Sequence, residues 1–354
     1  MDALTKTVLI LALVGLILVF LIFGASILIP LAVALLLWFF INALADAYRR
    51  AAVPLFKMPR AIALILALAT IFAVSLFIID LVVGNLAAMG QDTANFDASL
   101  SLLIEKVAQF AGIQSHEVVD RILAMIQVNI LVGNILSGMA SLASQFTLVF
   151  IFVIFLLIEQ QFFDLKLRAV IPHEEKRARI RAVLKRIAED VQNYLWIMTL
   201  VSTLTAVLSY GVMLLVGLDH AFFWAFLIFV LNFIPTIGSI IGTALPALYA
   251  VVQFQDLGPF LWVLAGVGAI QFVIGNLIQP RMAAQRLNLS QFVVILSLFV
   301  WGAIWGIVGM FLAVPITAIL MLVLANIETT RPAAMLLSET GSIGRPDREV
   351  EFDA

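Results

Sequence analysis

Long apolar blocks alternate with short charged segments along the whole chain. Each block is close to or above the roughly 17–20 residues that an α-helix needs to cross the hydrocarbon core of a bilayer. The pattern therefore predicts an all-α polytopic membrane protein with about eight hydrophobic segments. Their predicted bounds are 8–23, 27–44, 61–84, 146–163, 192–217, 221–253, 259–278 and 290–326.

Two of these segments, 221–253 and 290–326, are interrupted near their middle by glycine and proline. Proline removes a backbone hydrogen-bond donor, and glycine lowers helix propensity. Broken backbone inside a bilayer must be satisfied by neighbouring helices or by a water-filled cavity. A pair of interrupted segments therefore predicts a binding site. The interrupting residues are Pro235, Gly238, Gly242 and Pro246 in the first segment, and Gly302, Gly306, Gly309 and Pro315 in the second.

Composition supports the membrane assignment and excludes several kinds of chemistry. Hydrophobic residues make up 64% of the 354 residues and charged residues 12%, with a mean hydropathy of +1.15. Soluble domains carry about 25% charged residues. The chain has no cysteine and only three histidines, which are far apart, so no metal site or cofactor is predicted. It lacks the GxxxxGK[ST] and HExxH motifs and is not expected to be an enzyme. The net charge of −2 gives no reason to expect nucleic-acid binding.

Charged segments set the predicted orientation. Basic residues are concentrated in 46–60 and 164–190, and short basic loops face the cytoplasm, so the N-terminus is also predicted to be cytoplasmic. Residues 85–145 are mildly acidic and carry apolar residues at helical spacing, which predicts amphipathic helices outside the membrane. The predicted organisation is transmembrane helices 1–3 in 1–84, extracytoplasmic helices in 85–145, helix 4 in 146–163, a basic cytoplasmic segment in 164–190, a transport core in 191–327 and a disordered cytoplasmic tail in 328–354.

The two interrupted segments leave the number of crossings open. A simple count of eight crossings places Arg281 and Arg286 outside, against the positive-inside trend. If 221–253 forms a re-entrant hairpin, these arginines return to the cytoplasm. A second hairpin in 290–326, which is longer than one crossing requires, would restore a cytoplasmic C-terminus. At the level of sequence, single crossings and re-entrant hairpins both remain as alternatives.

The candidate pathway residues are mostly neutral. Amides and hydroxyls in hydrocarbon need hydrogen-bond partners, and they often join helices to one another. As a group they also suit a small polar solute, or a monovalent cation coordinated by freed carbonyl groups. Glu159 and Asp80 are the candidates for ion coupling, because ionisable residues within membranes are often functional. The predicted pathway residues are Asn232, Pro235, Gly238, Gly242, Pro246, Gln271, Asn276, Gln279, Gly306, Gly309 and Pro315.

Several of these residues carry a family resemblance. The stretch NFIPTIG at 232–238, followed by Gly242 and Pro246, resembles the PxxG segment of the autoinducer-2 exporter family, also called PerM-type permeases. Gln271, Asn276 and Pro280 resemble the next block of that family, and GIVGMFLAVP at 306–315 resembles its last. The resemblance covers roughly residues 4–327.

The resemblance implies a homo-oligomeric transporter surrounded by the lipids of a bacterial or archaeal inner membrane. Members of the family are associated with export of a furanone signalling molecule, autoinducer-2, and others with sodium/proton antiport. Three hypotheses follow: ATP-independent transport of a small polar solute, cation/proton antiport on the same scaffold, and a non-transporting membrane scaffold whose glycines serve only packing.

Overall fold

The computed structural model describes residues 3–52, 58–89, 145–279, 282 and 288–341. Within these ranges the regular elements are helices, apart from one isolated β-bridge between Leu289 and Ser338. The helices are α1 (Ala3–Phe23), α2 (Ala25–Ala51), α3 (Arg60–Met89), α4 (Phe146–Glu159), α5 (Phe163–Val170), α6 (Glu174–Val216), α7 (Ala221–Leu231), α8 (Ile237–Phe254), α9 (Leu257–Val273), α10 (Gln291–Ala325) and α11 (Arg331–Leu337), with a π-helical turn Ile274–Ile278 after α9.

Most of these helices have the length and composition of membrane spans. Among the described residues, six helices are long and apolar enough to cross a membrane. A seventh span results if α4 and α5, which are bent by 63° relative to one another, are counted as one. The fold is therefore that of an all-α polytopic membrane protein, as the apolar pattern predicts.

One compact unit contains the described residues within 1–69, 141–192 and 288–354. In this unit α2 packs against α4 and α10, and α11 packs against α10. The indole N–H of Trp38 donates to the side-chain oxygen of Gln160 at 2.9 Å and joins α2 to the bend after α4. The backbone N–H of Ser290 donates to the carbonyl of Leu337 at 3.1 Å, so α11 lies beside the start of α10 as well as following its end.

The second compact unit contains the described residues within 70–140 and 193–287. Its centre is α8, which packs against both α7 and α9. Helix α6 approaches α9 closely, because a Cβ atom added at Gly266 would lie 2.7 Å from Cγ1 of Val212. Close approach through glycine is the usual way in which membrane helices gain packing contacts without a hydrophobic driving force between them.

The structure corrects the prediction for the tail and leaves one region untested. The tail prediction is wrong for Arg331–Leu337, which forms α11. Ala334 of that helix is fully buried, because α11 packs against α10. The predicted amphipathic helices of 85–145 fall mostly on residues 90–144, which lie outside the described residues.

Candidate functional site

The second interrupted segment, α10, reverses direction at Gly306. Gly306 has φ 64° and ψ −144°, a backbone conformation that residues other than glycine rarely adopt. Trp301 precedes this glycine and Thr317 follows it, 16 positions apart, yet Trp301 Nε1 donates to Thr317 Oγ1 at 3.2 Å. A straight helix would separate them by about 24 Å. Residues 291–305 and 307–325 are therefore the two arms of a helical hairpin.

The first interrupted segment also folds back on itself. The rings of Trp224 in α7 and Tyr249 in α8 lie 5.2 Å apart. At the base of the pair, Gln253 Nε2 donates to the carbonyl of Gly217 at 3.0 Å, across 36 positions of sequence. A continuous helix would separate these two residues by about 54 Å. Helices α7 and α8 therefore form a second helical hairpin with both ends together.

The hairpin alternative thus describes both segments, and in each the break is local. In the first segment it is confined to 232–236, while Gly242 and Pro246 lie inside the continuous helix α8. In the second it is at Gly306, and Pro315 lies inside the returning arm. Arg281 and Arg286 lie outside the described residues, so the structure does not test their positions.

The turn of the first hairpin is strained and tightly packed. Thr236 has φ 62°, which is uncommon for a β-branched residue. A Cβ atom at Gly238 would lie 1.7 Å from the carbonyl oxygen of Leu231, a distance that no side chain can tolerate. The second hairpin also has a glycine packed directly against backbone, because a Cβ atom at Gly309 would lie 2.0 Å from the carbonyl oxygen of Trp301. Strain of this kind is concentrated at functional sites.

A buried polar face of α6 lies within the same unit as the first hairpin. Ser202, Thr205 and Ser209 are all fully buried, with 0% of each residue exposed. Their spacing of three and four residues places them on one side of the helix. We call these three residues the α6 polar face. The exposed residues Leu204 and Leu208 belong to another side of the same helix.

The turn of the first hairpin contacts this polar face. Asn232 Nδ2 donates to Thr205 Oγ1 at 3.2 Å, and the Thr205 hydroxyl donates to the carbonyl of Val201 at 2.8 Å. On α8, Gly242 faces Gln271 of α9, whose Nε2 would lie 3.6 Å from a Cβ atom at that glycine. The structure therefore places Asn232 against α6 and Gln271 against Gly242, all within one unit.

Several polar atoms of this region have no hydrogen-bond partner within the described part of the chain. They are Ser202 Oγ, Ser209 Oγ, Gln271 Nε2 and Trp224 Nε1. A buried polar group without a partner costs about 1–3 kcal/mol. Such groups persist in native proteins where they serve a function or bind water or an ion. These atoms are the chemical basis of the candidate site.

The remaining predicted pathway residues do not gather at the α6 polar face. Gln279 Nε2 approaches Met198 Sδ at 3.6 Å, which is a weak interaction. Asn276 is exposed and donates to the carbonyl of Phe272 in its own helix at 2.9 Å. Pro235 is half-buried and Pro246 is buried in the first hairpin. The second-hairpin residues Gly306, Gly309 and Pro315 belong to the other compact unit, where Gly309 and Pro315 are buried.

The two candidate ion-coupling residues are both exposed, Glu159 at the end of a helix and Asp80 within one. Glu159, the last residue of α4, pairs with Lys166 of α5, and both side chains are more than half exposed. Asp80 is exposed on α3. The described residues contain no group of three or more histidine, aspartate or glutamate residues placed to hold a metal ion.

The α6 polar face is not among the residues predicted from the sequence. Single serines and threonines are common in membrane helices, where their hydroxyls bond to the carbonyl four residues earlier. Thr199 and Thr203 do this with 2.7 Å hydrogen bonds. The signal that could have identified the face is the helical spacing of Ser202, Thr205 and Ser209.

These features define a class of protein: a polytopic helical membrane protein with two helical hairpins, one of which meets a buried polar helix face. The model of the AI-2E family transporter matches residues 9–329 of the chain, and the chain belongs to this family of transporters.

Individual relatives agree with this assignment. The chain is 28% identical over 323 residues to the AI-2 transport protein TqsA of Escherichia coli K12, covering 90% of this chain and 91% of TqsA. It is 34% identical over 214 residues to a protein of Borreliella burgdorferi named "Putative transport protein", covering 58% of this chain and 59% of that protein. It is 26% identical over 189 residues to the "Putative permease PerM" of Escherichia coli K12, covering 53% of each. The Borreliella and PerM matches thus span little more than half of those relatives.

Proposed function

We propose that the protein moves a small polar solute across the membrane without ATP, along a path beside the α6 polar face and the first hairpin. The observation that carries this proposal is the set of buried polar atoms on Ser202, Ser209 and Gln271 that have no partner within the described residues. Hydroxyl and amide groups can exchange hydrogen bonds with a hydroxylated solute, whereas a purely structural contact would pair them with one another.

The solute class follows from the chemistry of these groups. The α6 polar face, Asn232 and Gln271 are all neutral, so they suit a neutral solute rich in hydroxyl groups. The name of TqsA makes autoinducer-2 the first solute to test. As parts of the same proposal, the protein acts in the inner membrane of a bacterium or archaeon as a homo-oligomer, with its N-terminus in the cytoplasm.

Cation/proton antiport on the same scaffold is less well supported. A proton carrier needs a carboxylate that alternates between the two sides, and it is usually buried in the bundle. Glu159 is exposed and paired with Lys166, and Asp80 is exposed. Coordination of a sodium ion by backbone carbonyls of the hairpin turn would not need these carboxylates.

The first test measures solute flux from proteoliposomes that contain the full-length protein. Autoinducer-2 is loaded inside, and its release is followed with and without sodium and proton gradients. Release that needs the protein but not the gradients supports facilitated transport of a polar solute. Absence of autoinducer-2 release, together with proton-gradient-driven sodium uptake that is lost in Glu159→Gln, supports the antiport alternative instead.

A second test locates the pathway and uses the absence of native cysteine. Ser202→Cys, Ser209→Cys and Gln271→Cys are each treated with a membrane-impermeant thiol reagent. Thiols react as thiolates, which require water, so a water-lined pathway gives labelling at these buried positions. Leu204→Cys and Leu208→Cys are matched controls on the exposed side of α6. Failure of all three buried positions to react, while cysteines in loops react, would favour the non-transporting scaffold.

A further inference from the structure

A cavity of about 330 Å³ lies beside the last turns of α10, and none of its lining residues belongs to the α6 polar face. Three arginines line it: Arg179 and Arg186 from the N-terminal part of α6, and Arg331 from α11. Apart from Asn326, its other lining residues are apolar and include Val183, Ile187 and Leu322. The volume is within the range of about 300–1,000 Å³ that is usual for small-ligand sites. The cavity therefore combines positive charge with an apolar wall.

The three arginines of the cavity differ in how their charge is balanced. Several residues of the surrounding basic segment are paired with carboxylates: Arg181 with Asp164 at 3.1 Å, Lys185 with Glu189 at 3.8 Å and Arg186 with Asp190 at 3.8 Å. Arg179 and Arg331 have no carboxylate partner within the described residues. Two exposed guanidinium groups thus line the cavity with their charge unneutralised.

The fold holds these arginines around one opening. Arg179 and Arg186 are two helical turns apart on α6 and share one side of that helix, about 10 Å from one another along its axis. Arg331 begins α11, and its backbone N–H donates to the carbonyl of Ile327 at 2.9 Å. Thr330 Oγ1 donates to the carbonyl of Leu324 at 2.9 Å, which ties this corner to the end of α10.

The cavity lies where the chain changes from charged to apolar. Helix α6 is rich in charge up to Asp190 and apolar beyond it, and Leu322 belongs to the last turns of the apolar α10. Such a boundary is the depth at which phospholipid headgroups meet acyl chains. Guanidinium groups bind phosphate through paired N–H donors, and basic pockets between helices on the cytoplasmic side bind anionic lipid headgroups.

We propose that this cavity is a binding site for an anionic phospholipid, with the phosphate on Arg179, Arg186 and Arg331 and an acyl chain along Val183, Ile187 and Leu322. A lipid is favoured over a soluble anion because half of the lining is apolar, which a soluble phosphate would not use. A lipid bound here contacts both α6 and the last turns of α10, so its binding stabilises the folded protein.

The test uses the full-length protein in detergent, titrated with phosphatidylglycerol or with phosphatidylcholine, and follows its thermal unfolding. We expect phosphatidylglycerol to raise the unfolding midpoint of the wild type more than phosphatidylcholine does. In Arg179→Gln/Arg331→Gln the apparent affinity for phosphatidylglycerol is expected to fall roughly 10- to 30-fold. Each basic residue next to an anionic headgroup contributes roughly three- to fivefold in affinity, and the variant lacks two of them.

Arg168→Gln/Lys176→Gln is the matched control, since both residues are exposed in the same basic segment, outside the cavity, and the change in net charge is identical. It is expected to keep the wild-type response. Equal losses in the two double variants would overturn the proposal, because general surface charge would then explain the lipid effect. A wild-type response to inorganic phosphate alone that matches the response to phosphatidylglycerol would overturn the lipid assignment. All variants are exposed-residue changes, and their midpoints without lipid show whether they fold.

Discussion

The indole N–H of Trp301 donates to the hydroxyl of Thr317 at 3.2 Å, from one arm of α10 to the other. The contact requires the chain to reverse between the two residues, and the only backbone in between that leaves the helical region is that of Gly306. The 35 residues of α10 have the length and hydropathy of one long membrane span, but they form a hairpin.

The reversal can be tested by cross-linking, because the native chain has no cysteine. A Cβ atom at Gly302 would lie 3.0 Å from Cγ of Met310, so we expect Gly302→Cys/Met310→Cys to form a disulfide under mild oxidation. In a straight helix these Cα atoms would be about 12 Å apart, beyond the roughly 4.4–6.8 Å that a disulfide spans. After the protein is unfolded in sodium dodecyl sulfate, loss of reactivity towards a maleimide-polymer reagent measures the bond.

Leu200→Cys/Leu208→Cys is the control for this experiment. It has the same spacing of eight residues, but on the continuous helix α6, and both leucines are exposed. Its two thiols are expected to stay reactive. Persistent reactivity of the Gly302/Met310 pair at the same level as the control pair would mean that α10 does not fold back.

Gly306→Ala tests the conformation on which this hairpin depends. At φ 64° and ψ −144° an alanine is strained, although no neighbouring atom lies within 4 Å of the added methyl group. We expect the variant to lose about 1–3 kcal/mol of stability, measured as a lower thermal unfolding midpoint in detergent. Gly15→Ala is the control, because Gly15 is also in open space but has ordinary helical backbone. A midpoint for Gly306→Ala equal to that of Gly15→Ala would contradict the assigned turn.

How much of this architecture the sequence could predict depends on what hydropathy measures. It reports the length and composition of a segment, so α1 ends at its predicted last residue, Phe23, and α6 ends at Val216, one residue before its predicted end. Helix α2 contains the predicted segment 27–44 but continues to Ala51. It does not report direction. The glycines and prolines of 221–253 and 290–326 marked the right segments, but they could not distinguish a kink from a reversal. That choice depends on contacts such as Gly309 against Trp301, between residues that only the folded chain brings together.

The candidate site was predictable to a smaller extent for a similar reason. Asn232 and Gln271 stand out because amides are rare in apolar segments, and the structure places both in one unit. Ser202 and Ser209 do not stand out, because most such hydroxyls bond to their own helix. Only burial, combined with the absence of a partner among the described residues, separates them from Thr199 and Thr203.

Gly238→Ala tests the turn of the first hairpin. The added methyl carbon would lie 1.7 Å from the carbonyl oxygen of Leu231, so α7 and α8 must separate. We expect a loss of at least about 3 kcal/mol, or failure to accumulate folded protein. Gly242→Ala is the control one turn further along α8, where the nearest atom, Cγ1 of Ile228, would lie at an ordinary contact distance of 3.4 Å. Similar thermal midpoints for the two variants would refute the close approach at Gly238.

Gln271→Leu separates a transport role from a structural one. Gln271 is 7% exposed and its Nε2 has no partner within the described residues, so replacing the amide with an apolar side chain removes an unsatisfied donor. We expect the thermal midpoint to be unchanged or higher, because such a donor costs about 1–3 kcal/mol in the folded state.

Solute flux through the same variant is expected to fall roughly two- to tenfold, the effect of losing one hydrogen bond to the solute of about 0.5–1.5 kcal/mol. Thr203→Val is the control, because its hydroxyl is exposed and bonds to its own helix, so flux should stay at the wild-type level. A structural amide would give the opposite result, with a lower midpoint and unchanged flux per folded protein. Stability and flux that move in opposite directions at Gln271 are therefore the signature of a residue kept for the solute rather than for the fold.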